Sequence, residues 1–199
     1  MISNKPVNAV QVTVDVNQGL VVGENHGNIY NYGNATKMPS LIADIVKAMA
    51  NVDECNPKNS IEPLVSAFKP DEKIKYNSVV KYKEIITEHA TYDSQCEEIL
   101  NILDDSNIGT KSKILRCVRN WYLEAKGDVL INKQSDDPQN IDIIRMCSDD
   151  LIDKVKERIF AVARNYAQPD TSVEEVELGV VCFTCYCFME CRILEKPLW

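Results

Sequence analysis

Cys182, Cys185, Cys187 and Cys191 read C-x2-C-x-C-x3-C close to the end of a 199-residue chain. Four thiolates suffice to hold a zinc ion in a tetrahedron, and exposed thiols can sense oxidants. A zinc knuckle sets each cysteine pair in a turn of glycine and polar residues, whereas phenylalanine, tyrosine and methionine separate these. On one helix Cys185 and Cys187 diverge, so the four sulfurs do not converge unless the segment unwinds. Free cysteine also packs as a small apolar side chain. The cluster therefore reads as core, with no metal and no cofactor expected. A metal- or redox-sensing protein is the alternative.

The remaining chemistry-bearing residues are sparser. His26 and His89 are the only histidines, and neither has a serine or cysteine nucleophile motif beside it. Lys69-Pro70-Asp71-Glu72-Lys73 echoes the acidic residues and lysine of a metal-dependent nuclease. Its residues are contiguous, however, and carboxylates that share a metal come from separate elements. Gly19, Gly23, Gly27 and Gly33 alternate with asparagine in LVVGENHGNIYNYGN. They match neither G-x-x-x-x-G-K-[ST] nor G-x-G-x-x-G, and no helix follows directly. No catalytic constellation emerges, and the chain is expected not to be an enzyme.

Two basic runs remain: Lys69, Lys73, Lys75, Lys81 and Lys83, and then Lys111, Lys113, Arg116 and Arg119. Lys113, Arg116 and Arg119 form a stripe on one helix face, a candidate docking surface for an acidic partner or a phosphate backbone. The net charge of −8 argues against wrapping nucleic acid, so a nucleic-acid-binding module is the lesser alternative.

The elements that carry these residues fall into two regions. Val10, Val12, Val14 and Val16 alternate with Ala9, Gln11, Thr13 and Asp15, which predicts a strand over 6–16. Asn17-Gln18-Gly19 makes a turn, and 20–33 holds two short strand-like pieces with Leu20, Val22, Ile29, Tyr30 and Tyr32. An isolated two-stranded ribbon is marginal in water, and pairing between copies satisfies its backbone groups. Those four valines, with Leu20, Val22, Ile29, Tyr30 and Tyr32, are the candidate oligomerisation residues, and a homo-oligomer is expected.

After Lys37 the pattern is helical. The segment LIADIVKAMANV presents Ile42, Ile45, Val46 and Met49 on one face. Asp71 is the expected N-cap of a long helix from Glu72 to Thr91, with Ile74, Val79, Tyr82 and Ile86 inward. Further helices are expected over Ser94–Asp105, over Lys111–Lys126 closed by Gly127, and over 141–166. Ser172 opens the last with the S-x-x-E capping-box pattern, running to Leu194. The fold class is thus mainly α, a bundle of about five or six helices over 38–199 behind a Gly/Asn-rich β-ribbon leader over 1–37. The apolar stretch LGVVCFTCYCFM is shorter than the roughly 20 residues a membrane span requires. Eight cysteines without a secretory signal predict reduced thiols and a cytoplasmic location.

The order of motifs resembles a known family. KIKYNSVVKYKEII (73–86), the Ile-Leu-Asp-Asp step at 102–105, KSKILRCVRNWYLEAKGD (111–128), SDDLIDKVKERI (148–159) and VEEVELGVV…CFMECRILEKP (173–197) are similar to the C-terminal domain of ABC-three-component, Lamassu-type, prokaryotic defence systems. The positions carried over are Ile74, Tyr76, Asn77, Tyr122, Phe188, Cys191, Arg192, Ile193 and Pro197. The resemblance implies an adaptor that docks on an ABC-type ATPase and a small middle component. It makes Tyr76 and Asn77 interface candidates beside Lys113, Arg116 and Arg119. No effector domain precedes the module in this sequence. The expected function is therefore a non-catalytic assembly subunit of an anti-phage or anti-plasmid system.

Overall fold

Ser172 begins the helix around which the others pack. Its hydroxyl accepts from the Glu175 amide (3.1 Å), and the Glu175 carboxylate accepts from the Ser172 amide (2.7 Å). This is the capping box that the S-x-x-E spelling predicts. The computed structural model describes residues 40–51, 69–137, 139–166 and 170–198, all within one compact unit, Met38–Trp199. The expected leader over 1–37, its oligomerisation residues and His26 lie outside the described residues.

Among the described residues the chain is mainly helical and contains no strand. The elements are α1 (Leu41–Ala50), α2 (Pro70–Tyr76), α3 (Lys83–His89) with a 3-10 turn at Ala90–Tyr92, and α4 (Asp93–Ser106). They continue with α5 (Thr110–Asn132), α6 (Ile141–Met146), α7 (Ser148–Tyr166) and α8 (Val173–Met189). None is long and apolar enough to cross a membrane.

The helix α8 is buried all round from Cys182 to Met189, the signature of a central helix and not a surface one. By contrast, α7 buries a single stripe, Leu151, Ile152, Val155, Ile159 and Ala163. Burying each large apolar side chain contributes about 1.5–3 kcal/mol, so the shared core of α1, α5, α7 and α8 dominates the stability. The predicted inward face of α1 is buried as expected.

Helix boundaries differ from the sequence pattern in four places. The single helix expected over 72–91 is two helices: Lys69 occupies the N-cap position in place of Asp71, Pro70 is the first helical residue, and the chain breaks after Tyr76. The break is held from a distance. Asp149 at the start of α7 accepts from the Val80 and Lys81 amides (both 3.1 Å), and Ser148 Oγ donates to the Ser78 carbonyl (3.3 Å). Ser78 there adopts φ +56°. The expected inward residues Ile74, Val79, Tyr82 and Ile86 are nonetheless all buried.

Gly127 does not close α5, which runs on to Asn132 because Val129 and Leu130 continue its buried face. The helix expected over 141–166 is interrupted at Cys147, whose amide donates to both the Ile143 and Ile144 carbonyls. Finally, α8 stops at Met189 and not at Leu194. Cys191 takes φ +53°, the Arg192 amide donates to the Cys187 carbonyl (2.9 Å) and the Cys191 amide to the Phe188 carbonyl (3.1 Å). Those two bonds form a Schellman motif with a cysteine where glycine is usual.

Two glycines make opposite predictions. At Gly179 an added Cβ would stand 1.9 Å from the Val46 carbonyl oxygen, so α8 meets the α1 backbone there. Gly179→Ala is expected to destabilise by about 3 kcal/mol or more, because a backbone atom cannot step aside. At Gly127 an added Cβ meets nothing within 4 Å, so Gly127→Ala should stabilise by about 0.5–1 kcal/mol. Urea unfolding of both variants checks the pair, and equal midpoints would contradict it.

Candidate functional site

Where α8 ends, its last carbonyls lack intrahelical partners, and α2 supplies one. The Lys73 side chain is fully buried, and its ammonium donates to the carbonyls of Phe188 and Ile193, the latter at 3.2 Å. The same nitrogen lies 4.3 Å above the Phe188 ring centre. A cation at a helix C-terminus is electrostatically favourable. Burial nevertheless lowers the Lys73 ammonium to a pKa of about 8, with nearby Cys191 pulling it upward and Arg119 pushing it down further.

One turn on, Asn77 clasps the chain beyond α8. Its amide nitrogen donates to the carbonyls of Lys73 (3.0 Å) and Glu195 (2.9 Å), and its oxygen accepts from the Glu195 amide (3.0 Å). The Glu195 carboxylate turns toward α5, accepting from Tyr122 Oη (2.7 Å) and Lys126 Nζ (2.8 Å). Burial alone would raise that carboxyl, but the bonds from Lys126 and Tyr122 outweigh it and hold it below the usual range. Arg119 adds a bond to the Leu194 carbonyl (3.3 Å), with its guanidinium 4.8 Å over the Tyr122 ring. Leu194, like Cys191, has a left-handed backbone, φ +63°. Residues 191–195 are thus tied to α2 on one side and α5 on the other.

Of the four C-terminal cysteines, Cys191 belongs to this anchor segment and the other three lie within α8. Cys182, Cys185 and Cys187 are buried within α8, and Cys96 on α4 meets Cys182 at 3.3 Å between sulfurs. Burial pushes the Cys185 thiol up to about 12, and it drives Cys187 upward as well. The thiolate is the form that attacks electrophiles or binds metal, so these thiols behave as small core side chains. Cys191 stands outside the helix, half-buried, with its sulfur 3.7 Å from the Met189 carbonyl. Among the described residues no group of three or more His, Cys, Asp or Glu is placed to hold a metal ion.

Beside Cys96, Glu97 accepts from both Lys111 Nζ and Tyr186 Oη. Asp93 nearby has a buried Oδ1 without a hydrogen-bond partner. Burial, with Glu190 and Glu97 adding repulsion, pushes its carboxyl up to about 6. His89 is engaged locally: its Nδ1 pairs with the Ile85 carbonyl at 2.9 Å.

The predicted docking residues separate. Asn77 is fully buried in the anchor, while the half-buried Tyr76 lends its carbonyl to Arg145 Nε (2.7 Å), whose guanidinium lies 4.9 Å above its ring. Arg119 turns inward to Leu194. Lys113 and Arg116 are exposed, and neither side chain has a partner among the described residues. Beside them, Trp121 is half-buried and lines a groove of about 390 Å³ with α1 and α7. Sequence reasoning passed over Glu195 and Lys126, and it counted Lys73 only within a charged run and a contiguous nuclease-like stretch. Nothing local marks a lysine for burial, because its acceptors are backbone carbonyls more than a hundred positions away.

Comparisons of the chain with protein-family models, with curated proteins and with solved structures return no match.

The Lys73 anchor has a pH signature. Its folded pKa, about 8, lies below the ordinary 10.5, so its contribution to stability is fully present above 10.5 and is lost as pH falls through about 8. Lys73→Met keeps the stem but removes the titration. Urea midpoints at intervals from pH 7 to 10.5 should show the wild type gaining on Lys73→Met as pH rises. A constant difference across that window would contradict the buried ammonium.

Proposed function

We propose that this chain is a non-catalytic assembly subunit of a bacterial anti-phage or anti-plasmid defence system. In this reading the helical body docks an ABC-type ATPase and a small middle component, and the leader over 1–37 pairs strands between copies. One observation carries it. Asn77, Tyr122, Phe188 and Ile193, scattered positions of the resemblance, meet in the anchor that joins α2 and α5 to the end of α8. A spaced pattern whose members converge on one buried network is what a folding signature shared by a module looks like. The partner-facing role then falls to cations that the fold leaves outward, Lys113 and Arg116.

The reading is tested in the native host. Deletion of the gene should lower resistance to phage or plasmid, and the tagged full chain should co-purify with an ABC-type ATPase at a fixed ratio. Unchanged resistance together with a chain that purifies alone would overturn it.

A further inference from the structure

We propose that Cys96 of α4 and Cys182 of α8 are a redox-reactive pair, joined as a disulfide when α4 opens to a peroxide. The proposal does not depend on the assembly-subunit reading.

The geometry singles out this pair. The two sulfurs stand 3.3 Å apart where α4 packs on α8, although the residues are 86 positions apart in sequence. A disulfide is about 2.05 Å long, so a closure of about 1.3 Å joins them.

Both residues are buried, and burial decides how the pair can react. In the closed position the Cys96 thiol is raised, first by its bond to Cys182 and then by loss of solvent. The thiolate is the nucleophile, so reaction waits until water and oxidant reach the sulfurs. Helix α4 is the element that can admit them. Of its 14 residues Cys96 and Leu100 are the buried ones, whereas α8 is buried all round from Cys182 to Met189. Segments with few buried apolar contacts open at lower cost than the whole fold. The closed position also leaves Asp93 Oδ1, at the start of α4, without a hydrogen-bond partner and repelled by Glu190 and Glu97. The polar ties that hold α4 down are the bonds Glu97 accepts from Lys111 Nζ and Tyr186 Oη, and water can take the place of such bonds on opening.

The chemistry balances with hydrogen peroxide as oxidant. Once α4 opens, one thiol gives its proton to water and its sulfur attacks a peroxide oxygen. The O–O bond breaks, leaving a sulfenic acid on the protein and hydroxide, which takes up the proton. As α4 closes, the second sulfur attacks the first, the S–O bond breaks and another water leaves. The two thiols together lose two electrons and two protons, and the peroxide becomes two waters. The product staples α4 to α8 and shuts the opening through which it formed.

The test treats the reduced full chain with hydrogen peroxide, alkylates the remaining thiols and maps peptides without reductant. Trypsin releases Cys96 on the peptide 84–111, and chymotryptic cleavage after Phe183 parts Cys182 from the cysteines that follow. A Cys96–Cys182 link is expected, with a mass loss of about 2 Da that dithiothreitol reverses. The oxidised chain should also show a higher urea midpoint than the reduced one. Cys182→Ala should lose the link without a new one to Cys185 or Cys187, and the wild-type map decides alone if that variant does not fold. Leu100→Val, by easing the opening of α4, should speed the link about fivefold, whereas Ile159→Val in the α7 core should leave its rate unchanged. Sulfinic acids with no link, or links spread evenly over the cysteines of α8, overturn the proposal. So does equal acceleration by both core variants, which would make global unfolding the route.

Discussion

An ammonium withdrawn from water must find oxygens to replace its hydration, and Lys73 finds them at the carboxyl end of α8. Desolvating such a charge costs several kcal/mol, so the site persists only because acceptors and an aromatic face surround it. The placement has consequences along the chain. It adds a donor to the Phe188 carbonyl, which also accepts from the Cys191 amide, and it gives the Ile193 carbonyl beyond α8 a partner. It brings residues 191–195 within reach of Asn77, whose amide pairs with both backbone groups of Glu195. Glu195 in turn gives Tyr122 and Lys126 of α5 an acceptor in a setting where an unpaired phenol hydroxyl would be costly. Three helices distant in sequence are joined through one turn of backbone.

That economy of polar groups bears on function. The interior consumes Lys73, Asn77, Arg119, Tyr122 and Lys126 in holding the chain to itself. Burial raises the Cys185 and Cys187 thiols of α8, away from the thiolate form in which cysteine chemistry proceeds. On the outer face of α5 the balance is different: Lys113 and Arg116 are exposed with no side-chain partner among the described residues, and Lys113 lines an apolar groove. One helix thus serves two purposes, its inner cations closing the fold and its outer cations offering a charged rim. The same stripe of Lys113, Arg116 and Arg119, uniform in sequence, is divided between them.

How much of this was legible in the sequence depends on where the deciding contacts lie. The inward face of α1 follows from Ile42, Ile45, Val46 and Met49, because helical periodicity is local. The start of α8 follows from Ser172 and Glu175, three residues apart. The cysteines of α8 read as core because their neighbours are bulky and apolar, and Cys182, Cys185 and Cys187 are buried. The break after Tyr76 was not legible. Its holders, Ser148 and Asp149, lie about 70 positions away. Nor was the continuation of α5 through Gly127, where packing by Val129 and Leu130 overrides a weak helix former. Lys73 looked like one cation in a solvated run, since burial of a charge leaves no imprint on its immediate neighbours.

The sequence by itself determined the helical class of the described body, the buried faces of its helices and the capping box that starts its central one. All of these depend on spacing within a few residues, which the chain writes directly. The tertiary structure alone decided where the helices stop, which lysine is buried, and which cations of α5 remain outside. Those outcomes depend on hydrogen-bond partners that meet only after folding, when carbonyls freed at one helix end face side chains from another part of the chain.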